Sequence, residues 1–293
     1  MKLSTHWHEA AKRTMDWTLP PAIQDVLRTH ISSMVQNRGD NRATISKNES
    51  LRNAHRGQRC FILATGPSIK RQDLRLLEGE NCIAVSNFFV HPDFARIKPR
   101  YYCLAPYHPP ITEEAWASWL AELETGTEDA TMFFGLADRE RNQRNGRFLN
   151  RSVHYLNFRD GDVRFTGDVD LTRSLPGPQS VTIMALMLAI YMGFKKIYLL
   201  GCDHDWILHL NTSGHFYDER EHALNRKGYS EWFTTDFESH CHDYVRLWQQ
   251  YKALKCIAST KSISIYNATN GGLLDVFPRI SYLTLFPFNN ETV

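Results

Sequence analysis

The stretch that most constrains this chain is residues 180–201, SVTIMALMLAIYMGFKKIYLLG, which follows a Gly177-Pro178 break. Its first half is helical in length and apolar on every side, so it has to be enclosed rather than lie half in water. Gly193 ends it, and the next apolar run, residues 196–200, is short enough for a strand buried on both faces. A buried helix feeding a buried strand is how a crossover onto a parallel sheet is written, with the strand near the sheet centre.

The rest of the chain repeats that alternation. CFILA (60–64) is a strand, Gly66-Pro67-Ser68 a breaker, and residues 69–77 a helix with one apolar face. Strands follow at 82–85 and 101–105, with weaker ones at 130–134 and 152–156. Thr112, followed by Glu113 and Glu114, caps a helix on which Trp116, Trp119 and Leu120 share a face. A helix over 244–254, a strand over 262–266 and the loop NATNGGLLDVFPRI close the chain. The expectation is a single α/β, Rossmann-like domain with a mostly parallel sheet over residues 58–293, carrying a lid-like insertion at about 204–243. Residues 1–57 are expected as a helical extension and linker: two helices within 5–34, parted by Leu19-Pro20-Pro21, then a polar connection or short solvated helix over 37–58.

Composition narrows the function classes. The 34 Lys and Arg against 32 Asp and Glu leave a formal charge of +2, which is no footprint for nucleic acid. The six cysteines form no CxxC pair, which argues for a reducing compartment and against disulfides or a structural zinc. The longest apolar run, 181–194, falls short of the ~20 residues a membrane span needs. A soluble cytoplasmic enzyme is expected, with peripheral contact at the inner face of a membrane and self-association left open.

Four constellations could carry chemistry. In FILATGPSIK (61–70) a buried strand runs into a tight turn, where Gly66 lets an anion approach the backbone, Pro67 suits a first helical turn, and Thr65 and Ser68 add hydroxyls. At LGCDHDW (200–206) a central strand ends in ionisable groups, where ligands of open α/β sheets sit. There Gly201 permits close approach, Asp203 could orient a ribose, and His204 is a candidate acid or base. Ser180 can cap the buried helix and also face a phosphate, with Arg173 a lesser candidate. Residues 209–244 hold His209, His215, His222, His240 and His242 among aromatics. Asp203, Asp205, His209 and His215 could furnish metal ligands, but no tight ligand spacing appears, and a lid over substrate fits better. Histidines, with an ordinary pKa of about 6.5, suit the removal of a proton from a sugar hydroxyl.

ILATGPSIK, the Asn87 of IAVSNFF, and ALMLAIYMGFKKIYLLGCD resemble the small Rossmann-like bacterial sialyltransferases that use CMP-activated nine-carbon acids. With NATNGGLLDVFPRI, the same segments also resemble the domain of the archaeal 6-hydroxymethylpterin diphosphokinases and of proteins of surface-polysaccharide and flagellin glycosylation. The likeness spans residues 59–279. The sialyltransferase resemblance implies that Gly66 and Asn87 face the cytidine nucleotide and that Ser180 lies near the phosphate. It also implies that a histidine before the last long helix, His240 or His242, is the general base, and that a lid tyrosine, best matched by Tyr217, steadies the departing CMP. Thr65 stands where that family has Asn, and Asp205 where it has Tyr.

These readings converge on an inverting, metal-independent glycosyltransferase that takes a nucleotide-activated sugar acid and a surface-glycan acceptor, with no cofactor. The alternatives are a diphosphokinase, with Mg²⁺ held by Asp203 and Asp205 against ATP, and a nucleotide-binding protein without turnover.

Overall fold

The computed structural model describes residue 23 and residues 39–286, apart from 109–110, 128, 160–163, 166, 209–213 and 219–235. The N-terminal helices expected within 5–34, apart from residue 23, His209, His222 and much of the expected lid lie outside the described residues.

Among the described residues, one all-parallel sheet of eight strands runs in the order β6-β5-β4-β3-β2-β1-β7-β8. The strands are β1 (Arg59–Leu63), β2 (Cys82–Val85), β3 (Tyr101–Cys103), β4 (Thr131–Gly135), β5 (Val153–Arg159), β6 (Ser174–Pro176), β7 (Lys196–Leu200) and β8 (Ser264–Asn267). The side-chain period of two decides which layer each residue joins. Cys60, Ile62, Ile83, Val85, Ile197 and Leu199 pack on one face of the sheet, with α5 (Val181–Tyr191) and α6 (Phe237–Thr260). Phe61, Leu63, Cys82, Ala84, Tyr198 and Leu200 pack on the other, with α3 (Glu113–Gly126). Helix α5 is buried from Thr182 to Tyr191, as its unbroken apolar sequence requires.

The remaining helices are short: α1 (Gly39–Ser46), α2 (Phe94–Ile97) and α4 (Arg139–Arg144). No described helix is long and apolar enough to cross a membrane.

Two expectations are corrected, the first only in part. The described part of the polar stretch 37–58 does hold the expected short solvated helix, α1, but it is also tied to the core, with Ile45 and Leu51 buried. Asn48 is buried and donates from Nδ2 to the carbonyls of Tyr155 and Leu171, both at 2.9 Å. The amides of Asn53 and His55 bond to the carbonyls of Tyr191 and Met192, so this stretch supplies partners to the otherwise unsatisfied C-terminal end of α5. Its docking runs through these hydrogen bonds and just two buried aliphatic side chains among many exposed polar ones, which is why its sequence looks solvated. The second correction concerns residues 69–77, which form two 3₁₀ turns, Pro67–Arg71 and Leu74–Leu77, instead of one α-helix. Asp73 caps the second of them by accepting from the Arg75 amide.

The strand order reverses at β1. Strands β2 to β6 extend to one side of it and β7 and β8 to the other, which makes the carboxyl ends of β1 and β7 the switch point where such sheets open a crevice.

Candidate active site at the switch point

Strands β1 and β7 end in register, Leu63 opposite Leu200. Beyond them the two chains stay bonded, Ala64 N–H to Leu200 O and Gly66 N–H to Gly201 O, each at 2.9 Å. Gly66 has no room for a side chain, since a Cβ would stand 2.0 Å from Asp203 Oδ2 and 2.5 Å from the Gly201 carbonyl oxygen. Gly201 sits at φ +65°, in the left-handed region, with its α-carbon face against the Ala64 carbonyl.

Asp203 bolts this junction. Its Oδ1 accepts the Ser68 amide at 3.0 Å and its Oδ2 the Ser68 hydroxyl at 2.8 Å. Burial pushes the Asp203 carboxyl up, and the two bonds from Ser68 oppose that. The expected anion cradle is therefore corrected: the Gly66 amide and both donors of Ser68 are already spent inside the protein. Pro67 and Ser68 do not line the crevice, although Thr65, Gly66, Gly201 and Asp203 do. The loop after β8 braces Asp203 from behind, with Leu273 N–H on its carbonyl at 2.8 Å.

Above this floor opens a cleft of about 630 Å³. One wall is the end of β2, where Asn87 is only 3% exposed and its Oδ1 accepts the indole N–H of Trp119 at 2.7 Å. A second wall is the start of α5. Ser180 caps that helix by accepting from the Thr182 amide, and it lines the cleft. The Gln179 amide beside it is held by Gln250 Oε1 at 2.8 Å.

The segment 214–218 supplies a third wall. Phe216 N–H bonds to Thr65 O at 2.8 Å, and its ring is buried against Phe88 and His91. That anchor turns His215 and Tyr217 to the cleft with their rings stacked, centroids 5.0 Å apart, and His215 Nδ1 lies 3.0 Å from the Thr65 hydroxyl. Thr65 thus serves as a post for His215.

Helix α6 forms the rim. It is twice the expected length, and both candidate histidines fall inside its first turns rather than before it. Residues two apart on a helix point about 200° apart, so the pair cannot share a face. His240, Asp243 and Leu247 follow helical spacing along the cleft. His242 points outward, 72% exposed by side chain and 3.7 Å from Glu238. The buried positions Leu247, Tyr251, Leu254 and Ala258, stepped back by threes and fours, reach Asp243 and His240. That periodicity was the sequence signal able to separate the two histidines.

His204 is not the exposed acid or base that its position in the sequence allows. It adopts φ +47°, and its ring packs among Trp206, Trp248 and Tyr251, with Nε2 2.7 Å from the Tyr251 hydroxyl. The residue as a whole keeps some exposure along the cleft, but burial of the ring pushes its pKa down to about 4, so it is neutral at physiological pH. Trp119, Gln179, His215 and Asp243 are cleft residues that the sequence reading did not assign to the site. Only His215 carried a hint, as one of several histidines.

No protein-family profile matches this sequence, and no curated protein matches it. Solved structures do. The chain is similar to the sialyltransferase CstII from Campylobacter jejuni in complex with the substrate analogue CMP-3FNeuAc. The TM-score is 0.51 at 17% identity, over 79% of this chain and 89% of that one. The CstII complex with cytidine-5'-monophosphate gives a TM-score of 0.47 at 16% identity, over 77% and 85% of the two chains. The first likeness defines the class of fold: a Rossmann-like α/β domain of the architecture found in a bacterial sialyltransferase.

Proposed function

We propose that the protein is an inverting, metal-independent glycosyltransferase that moves a sugar acid from a CMP-activated donor to a surface-glycan acceptor. The observation that carries this reading is the place and furnishing of the cleft. A cavity large enough for a nucleotide-sugar lies at the switch point, and of the two histidines in the first turns of α6 it is His240 that lines the cavity while His242 turns outward. CstII, of the same architecture, forms a complex with the substrate analogue CMP-3FNeuAc, which supports a cytidine donor here.

In this reading Asn87 and the floor glycines face the nucleotide, and Ser180 with the first turn of the buried α5 faces the phosphate, where the helix dipole favours negative charge. The acceptor hydroxyl oxygen forms a bond to the anomeric carbon of the sugar acid as the bond from that carbon to the CMP phosphate oxygen breaks. The electron pair leaves with CMP. His240 takes the hydroxyl proton and later returns it to water, and the Tyr217 phenol donates to the departing phosphate. The diphosphokinase alternative needs Asp203 open toward a cation beside Asp205. Asp203 instead already accepts from Ser68 at both oxygens, which weighs against that alternative.

The test is CMP release from CMP-activated sugar acids in the presence of EDTA. Wild type should turn over, His240→Ala should lose about 10²–10⁴ in kcat, as expected for a missing general base, and His242→Ala should stay close to wild type. No release with any sugar-acid donor, or an unimpaired His240→Ala enzyme, would overturn the proposal. Tight CMP binding without turnover would favour a non-catalytic binding protein.

A further inference from the structure

The turn after β2 is held more firmly than a surface turn needs to be. Ser86 adopts φ +50°, and its carbonyl accepts the Tyr102 hydroxyl at 2.7 Å. The same hydroxyl receives the Phe89 amide at 3.0 Å, and Val90 N–H closes on the Asn87 carbonyl at 3.1 Å. Backbone and side chain of Asn87 are thus fixed from both sides, and the side chain contacts Trp119 in a nearly solvent-free setting.

Hydrogen-bond chemistry then decides which end of the Asn87 amide meets the cleft. An indole N–H can only donate, so the carbonyl oxygen must face Trp119, and a flipped amide would set donor against donor. Nδ2 is left pointing away from the indole. It has no partner among the described residues, it is not sealed from solvent, and Asn87 lines the cleft. The neighbouring pair on α3 shows the contrast. Trp116 Nε1 approaches Asn142 Oδ1 at a looser 3.4 Å, and there the amide nitrogen is shut in the core without a partner.

We infer that Trp119 is a positioning residue for the nucleotide. It locks Asn87 so that this side chain presents an N–H donor to the cleft, and the ligand atom docking there is a hydrogen-bond acceptor, either a phosphate oxygen or the O2 or N3 of a cytosine. The inference rests on the nucleotide reading of the cleft and adds to it the polarity of one wall and the residue that sets it. Trp119 acts through Asn87, so the two should behave as one unit in a double-mutant cycle.

The experiment is calorimetric titration of CMP into wild type, Trp119→Phe, Asn87→Ala, the double variant and Asn87→Asp, with melting curves for each. Trp119→Phe and Asn87→Ala should each weaken binding by roughly tenfold, the scale of a hydrogen bond to a charged or buried group, and the double variant should be no weaker than Asn87→Ala alone. Asn87→Asp keeps an acceptor for the indole, so it should fold, yet bind CMP more weakly than Asn87→Ala because a carboxylate faces the ligand's acceptor. Titration with cytidine separates the two docking atoms. A loss seen for CMP and absent for cytidine places the phosphate at Asn87, and an equal loss for both places the base there.

Folded Trp119→Phe that binds CMP like wild type, or single effects that multiply in the double variant, would overturn the inference while leaving the nucleotide reading intact. Should Trp119→Phe fail to fold, Asn87→Asp decides, and wild-type affinity in that variant overturns the inference. Wild type that binds no CMP overturns both.

Discussion

At the floor of the cleft the polar groups of the β1 turn are committed to one another: Gly66 N–H to Gly201, Ser68 N–H and Oγ to Asp203, and Asp203 O to Leu273. At the walls they are held on one side and open on the other, as with Asn87, fixed through its oxygen, and Ser180, which caps α5 while lining the cleft. The floor looks like an anion site in sequence but behaves as a weld between two strands. In the proposed reading, recognition falls to residues whose orientation is set from behind by a buried partner.

That contrast can be broken by substitutions that separate stability from binding. The largest effect is expected for Gly66→Ala, whose Cβ would collide with Asp203 and the Gly201 carbonyl. Chemical denaturation should show a loss of about 3 kcal/mol or more, whereas Asn87→Ala at the wall should cost about 1–3 kcal/mol, the scale of a buried indole N–H left unpaired.

Next comes the pH dependence contributed by His204. Its folded pKa, about 4, lies below the ordinary value of 6.5, so its contribution to stability is present above 6.5 and is lost progressively as pH falls toward 4. The loss is on the order of 3 kcal/mol. His204→Asn, which tolerates the left-handed backbone, should flatten that part of the stability–pH curve.

A smaller effect is expected for Asp203→Asn, since an amide cannot accept both Ser68 donors as the carboxylate does. Denaturation should register about 1–3 kcal/mol. The smallest is His242→Ala, an exposed group whose removal should leave the melting temperature nearly unchanged.

The central strands could be read directly because their apolar runs are bounded by breakers, and α5 because nothing along it is polar enough to face water. Other parts were hidden for physical reasons. IKRQDLRLL has a helical face, but Asp203 ties down Ser68 and Asp73 caps a new turn, so tertiary bonds override the local pattern. Helix α6 read as beginning at 244 because its first turns either meet solvent or line the cleft and so are mostly polar, His240 and Asp243 among the cleft residues. The stretch before β1 docks through Asn48, backbone amides and only two buried aliphatic residues, Ile45 and Leu51, which leaves little apolar trace. Asn87 could be singled out by resemblance. Its partner Trp119 could not, because only the fold brings α3 against the end of β2.

Whether the switch-point cleft takes a cytidine nucleotide without a metal is decided by a thermal-shift comparison of CMP, CDP, UDP, GDP and ATP, each with Mg²⁺ and with EDTA. A ligand that binds only the folded state raises its melting temperature according to concentration over affinity. CMP should give a clear rise that is the same in EDTA. No shift with either cytidine nucleotide, or a shift confined to ATP with Mg²⁺, would contradict it.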